Sequence, residues 1–143
     1  MDKKNEKKVV SGIVTRRVGS LREILLEECG KGYTLPTTAI RDDQENGRET
    51  IKDYVLGISG AKSVRTLGFY GYLNGKNTPY REAYKIKVSY DQTREESTKR
   101  RVKWFEYTKA LKHNSDKKGN PPPIDKGTLR TIEHLLKEDK IYS

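Results

Sequence analysis

The chain is poor in cysteine, proline and long apolar runs. One cysteine, Cys29, is present among 143 residues, which excludes an internal disulfide and any zinc site built from several thiolates. Cys29, between Glu28 and Gly30, reads as structural rather than nucleophilic. No stretch approaches the ~20 apolar residues of a membrane span. The opening Met1-Asp2-Lys3-Lys4-Asn5-Glu6-Lys7-Lys8 leads into no apolar core of signal-peptide length. A cytoplasmic protein with no membrane partner is expected.

Apolar residues are also scarce, at 32%, against 35% charged. Nine Tyr, two Phe and one Trp nevertheless supply aromatic bulk, enough to argue against a wholly disordered chain. The expected organisation is a charged, mobile tail over residues 1–8 and a single domain over 9–143. The 30 Lys and Arg exceed the 20 Asp and Glu, giving a formal charge of +10. Such a balance favours anionic partners, nucleotides or RNA, or an acidic protein surface.

β-branched residues over 9–17 predict a strand, Val18-Gly19-Ser20 a turn, and residues 21–27 its returning partner. Cys29-Gly30-Lys31-Gly32 breaks the pair, and Tyr33-Thr34-Leu35 forms a short strand stopped by Pro36. Residues 37–46 read as a polar loop. A helix follows, with Asn46 and Glu49 as a capping box, Ile51, Val55 and Ile58 at helical spacing, and Gly60 as the C-terminal cap. Alternation over 63–73 and 80–90 predicts two strands around an Asn74-Gly75-Lys76-Asn77 turn, with Gly68 and Gly71 as hairpin punctuation. Residues 91–99 are a charged loop, Val102 to Glu106 a strand, and Tyr107 to Lys112 one or two helical turns. Past Pro121-Pro122-Pro123, Asp125 caps a last helix with Leu129, Ile132, Leu135 and Leu136 on one face. This order makes an α+β domain with helices packed on the faces of a mixed sheet.

Taken together, Gly12-Ile13-Val14, Gly32-Tyr33-Thr34-Leu35-Pro36, the capped helix ending at Gly60, Val102-Lys103-Trp104-Phe105 and the two late helices resemble a Nudix (MutT-like) domain over roughly residues 9–138. The resemblance implies an α/β/α sandwich and pyrophosphohydrolase chemistry at one box. In that box glutamates on adjacent helical turns hold Mg²⁺, which offsets the charge of a diphosphate and activates water. Anchored on Gly60, the box keeps Glu45 and the apolar Val55. Gly57 and Ile58 stand at the two metal-binding glutamate positions, Asp53-Tyr54 at the Arg-Glu pair, and Thr37-Thr38 at the Gly-Gly after the proline. Neither Gly57 nor Ile58 offers an oxygen ligand from its side chain.

The residues therefore point to a Nudix-like protein with a degenerate box, a non-hydrolytic nucleotide- or RNA-binding or interaction module with no catalytic residue, no metal site and no cofactor. The ligand-binding candidates are Tyr33, Tyr70, Tyr72, Tyr84, Arg81 and Lys85, since aromatics stack on bases while cations hold phosphates. The alternative is a divergent Mg²⁺-dependent hydrolase of nucleoside diphosphate derivatives, with Glu45, Glu49 and Asp53 as catalytic carboxylates and Glu45 and Glu49 as metal ligands. Acidic residues in the first turns of a helix also suit its dipole without any metal. Glu95 and Glu96, ahead of the Trp104 strand, are further candidates for a displaced base.

Overall fold

The computed structural model describes residues 8–30, 32–73, 81–90, 102–113 and 124–142. The elements run β1 (Val9–Val18), β2 (Leu21–Cys29), β3 (Gly32–Thr34), β4 (Thr37–Ala39), α1 (Arg48–Ser59), β5 (Ser63–Tyr72), β6 (Arg81–Ser89), β7 (Val102–Glu106), α2 (Tyr107–His113) and α3 (Lys126–Tyr142). The predicted tail (residues 1–7), the 74–77 turn, the 91–99 loop with Glu95 and Glu96, and the 121–123 prolines lie outside the described residues.

The seven strands form one mixed sheet. Its main path is β3-β2-β1-β6-β5, with β4 added on β1 and β7 on β2. Strand β1 is the hub. One edge runs parallel to β6 from Val9↔Arg81 to Thr15↔Lys87. Its other edge is shared: Val9 to Ser11 pair with β4, and Thr15 to Val18 pair with β2. β4 corrects the polar-loop reading of residues 37–46. Its three residues are too few to show an alternation, and pairing with the free half of β1 makes them a strand.

Two cores flank the sheet. One joins Val10, Val14 and Leu25 with Val64, Tyr84, Ile86 and Val88 and, from α1, Ile51, Val55 and Ile58. The other joins Ile13, Ile24, Leu26 and Ala83 with Phe105, Ala110 of α2, and Ile132 and Leu135 of α3. Alternate residues of β1 feed opposite cores, as the two-residue strand period requires. The result is the expected α/β/α sandwich.

The capping box of α1 does not form. The cap position is Gly47, with no side-chain capping bond, and Asn46 Oδ1 instead accepts the Arg48 N–H at 3.1 Å. The reason is a close approach. A Cβ on Gly47 would lie 2.4 Å from the Val10 Cβ, so the glycine itself seats the helix start on β1. Gly60 closes α1 as expected, in the left-handed conformation at φ 71°. Asp125 caps α3 as expected, accepting from the Thr128 N–H at 3.2 Å and from its hydroxyl.

Strand β5 does not keep a clean alternation. Its register to β6 shifts between Thr66 and Gly68 and again between Phe69 and Gly71. Gly68 and Gly71 sit at these bulges with φ of 153° and 151°, so they belong to the interior of the strand and not to the hairpin turn. Each bulge inserts one residue, Leu67 in the first and Tyr70 in the second, and Leu67 and Phe69 are about half exposed, at 52% and 51%. Among the described residues, no helix is long and apolar enough to cross a membrane.

Candidate functional site

The start of α1, the first half of β6 and the edge strand β5 converge on the α1 side of the sheet. Glu82 of β6 is the keystone. It is buried at 5% exposure, and its Oε1 accepts both the Gly47 N–H and the Tyr84 hydroxyl, each at 2.9 Å. A buried carboxylate costs free energy unless it is hydrogen-bonded, and these two donors supply that compensation. They also tie the helix start to the sheet. Burial, reinforced by the bond and charge of Glu82, raises the Tyr84 pKa well above the ordinary tyrosine value.

Aromatic rings line the space beside this keystone. Phe69 packs edge to face on Tyr84 at 5.2 Å and on Tyr72 at 5.2 Å. Tyr72 is 57% exposed. Arg48, the first residue of α1, reaches across to β5, its Nε donating to Thr66 Oγ1 at 3.0 Å. An exposed arginine and two exposed rings thus stand together over β5.

The carboxylates of the alternative reading lie further along the same helix and the loop before it. Glu45 and Glu49 are exposed. Asp53 is exposed and paired with Arg41 at 3.1 Å. Gly57 is exposed, and a Cβ built on it meets nothing within 4 Å. Ile58 is the reverse, 1% exposed in the core under α1. Among the described residues, no three His, Cys, Asp or Glu side chains come together to hold a metal ion. So placed, neither Gly57 nor Ile58 turns a side-chain oxygen toward the cations that the resemblance implies.

The six ligand-binding candidates do not converge. The strand register puts Tyr72 and Tyr84 on the α1 side, Tyr84 inside the core and Tyr72 at the surface. Tyr70 and Lys85 lie on the opposite side, against α3. There the Tyr70 hydroxyl shares a hydrogen bond with His134 Nδ1 at 2.9 Å, and Lys85 Nζ pairs with Glu138 at 3.2 Å. Burial, and then the charge of Glu138, raises the Tyr70 pKa. A shallow groove of about 410 Å³ runs here between β5 and α3.

Tyr33 sits on β3 with its ring edge to face on Phe105 at 5.0 Å. It borders a separate groove of about 400 Å³ with Cys29, Thr34, Ile124 and Asp125. Arg81 is a structural tie. It donates from Nε to Ser11 Oγ at 2.6 Å and from an η-nitrogen to Thr37 Oγ1 at 3.1 Å. Burial lowers its pKa, with Asp125 opposing that shift.

Arg48, Glu82 and Phe69 are site residues that the sequence does not mark. Arg48 looked like any helix-surface cation. Glu82 sits in an alternating strand where a buried acid has no signature. Phe69 was visible as an aromatic on β5, but its partners depend on a bulge that no residue pattern announces.

The sequence matches no family model and no curated relative. Its fold does match solved structures. The NUDIX domain of Shewanella oneidensis NrtR, solved in complex with ADP ribose, superposes with a TM-score of 0.60 at 14% identity, over 96% of this chain and 93% of that one. The C. elegans Ap4A hydrolase gives 0.56 at 15% identity, over 92% and 98%. A Sinorhizobium meliloti protein provisionally named an oxidoreductase gives 0.63 at 11% identity. This chain spans 40% of that protein's length and 94% of its own. Sandwich, strand order and these superpositions agree, and the chain has the Nudix fold.

Proposed function

We propose that this protein is a Nudix-fold module that binds a nucleotide derivative without hydrolysing it. The observation that carries the reading is the occupancy of the two box positions on α1. Gly57 has no side chain, and Ile58 is turned into the core, so neither can bring a side-chain oxygen to a divalent cation. The aromatic cluster of Phe69 and Tyr72 beside Arg48 supports a base-and-phosphate ligand, since rings stack on bases and guanidinium groups fork onto phosphates. The ADP ribose held by the NrtR NUDIX domain makes ADP-ribose the first ligand to try.

Calorimetric titration with ADP-ribose and ATP, run beside a chromatographic turnover assay with Mg²⁺ or Mn²⁺, tests this. Binding without product, weakened in Phe69→Ala/Tyr72→Ala, is the expected result. Metal-dependent product release that disappears in Glu45→Gln/Glu49→Gln would overturn it in favour of a hydrolase with a relocated metal site. Neither binding nor turnover would also overturn it and leave a protein-interaction scaffold.

A further inference from the structure

The side of the sheet facing away from α1 carries an arrangement that the reading above does not use. Strand register places Arg17 of β1 directly opposite Arg22 of β2. It also places Arg65 of β5 directly opposite Lys87 of β6, with Lys87 beside Thr15 of β1. Residues of these strands that alternate with the four, Val14, Val64, Ile86 and Val88, enter the core under α1, so all four cations stand on the α3 side. Arg17, Arg65 and Lys87 are exposed and Arg22 is half-buried. Four cations thus span four consecutive strands, β2-β1-β6-β5, at one end of one sheet face.

Like charges directly opposite in an antiparallel pair destabilise it. A sheet that sets Arg65 directly against Lys87 breaks a local rule of its own stability, and such breaks gather at functional sites. On this side Glu138 of α3 pairs with Lys85 and His134. Next along the same face lies the groove lined by Phe69, Tyr70, Tyr72, Lys85, His134 and Glu138. A row of cations running into a groove lined by ring side chains suits a chain of phosphates whose bases are free to turn inward, which is a single strand and not a duplex.

We infer that this face binds single-stranded nucleic acid, with Arg17, Arg22, Arg65 and Lys87 on the phosphates and the Tyr70–His134 groove receiving a base. The groove shares Phe69 and Tyr72 with the proposed nucleotide site, but the row of cations lies across the sheet from Arg48, so substitutions in that row test this face apart from that site.

Fluorescence anisotropy of labelled oligouridine and oligothymidine, each of about 12 nucleotides, tests it across a salt series. A duplex of the same length serves as the comparison. Both single strands should bind more tightly than the duplex. Arg65→Gln/Lys87→Gln should weaken that binding by about tenfold or more at low salt. It should also flatten the logarithmic salt dependence by about 0.7 per lost phosphate contact. Lys52→Gln on α1 should do neither, and ADP-ribose affinity and the circular dichroism spectrum of the double variant should match the parent. Binding that is absent at low salt, equally strong to the duplex, or weakened no more by the double variant than by Lys52→Gln would overturn the inference.

Discussion

At the scale of single residues, the two box positions on α1 make opposite demands on a carboxylate. Gly57 is an exposed helical glycine with open space around it, so Gly57→Glu should add about 0.5–1 kcal/mol through helix propensity alone. Ile58 fills the core at 1% exposure. Ile58→Glu removes its packing and buries an acid with no partner, and should cost at least about 4 kcal/mol. Urea midpoints of the two single variants would read this asymmetry. Equal stabilities would mean that α1 can rotate to expose position 58, and the metal-free reading would lose its physical footing. Gly47 makes the complementary case. Gly47→Ala must push the helix start off Val10, since its Cβ would stand 2.4 Å from the Val10 Cβ. Overpacking of this kind costs about 1–3 kcal/mol, and the same urea titration should show it as an earlier midpoint at unchanged slope.

Between elements, the bond network of Glu82 is the joint between β6 and α1, and it predicts an alkaline limit. The folded protein holds the Tyr84 proton more tightly than the unfolded chain does, because burial and the Glu82 carboxylate disfavour a phenolate there. Below the ordinary tyrosine pKa of about 10 both states are protonated and the contribution is constant. Above it the unfolded chain releases the proton first, so stability should fall by up to about 1.4 kcal/mol per pH unit. Tyr70, shifted in the same direction, adds to the fall. Tyr84→Phe should make the decline of the urea midpoint above that pH shallower; an unchanged decline would exclude the joint as its source. The helix and strand periods, and hence the sandwich, were legible in Ile51, Val55 and Ile58 and in the β-branched run of β1. The joint was not. Gly47 rather than Asn46 caps α1 because of a contact with Val10, 37 positions away in sequence, and local capping signals carry no record of it. The split of the six ligand candidates between two faces was hidden for a similar reason. The two β5 bulges reset which side each tyrosine takes, and glycine in a strand marks such a break without giving its phase.

At the scale of the whole molecule, the formal charge of +10 acts against the compact state by self-repulsion, and salt relieves it. The melting temperature should therefore rise as salt is added from low ionic strength. The facing pairs Arg17/Arg22 and Arg65/Lys87 concentrate that repulsion at one end of the sheet. Neutralising one partner should stabilise the protein: Lys87→Gln is expected to gain roughly 0.2–1 kcal/mol at low salt and to lose most of that advantage at high salt. A cation held merely as a solvated surface group predicts no such gain, and one that packs its stem on neighbours predicts a loss. The substitution that helps the fold is also the one expected to harm nucleic-acid binding, so stability and affinity measured on the same variant should move in opposite directions. If Lys87→Gln destabilised at low salt, the facing charges would not be a strain relieved by a ligand. The basic face would then be only a share of the overall charge.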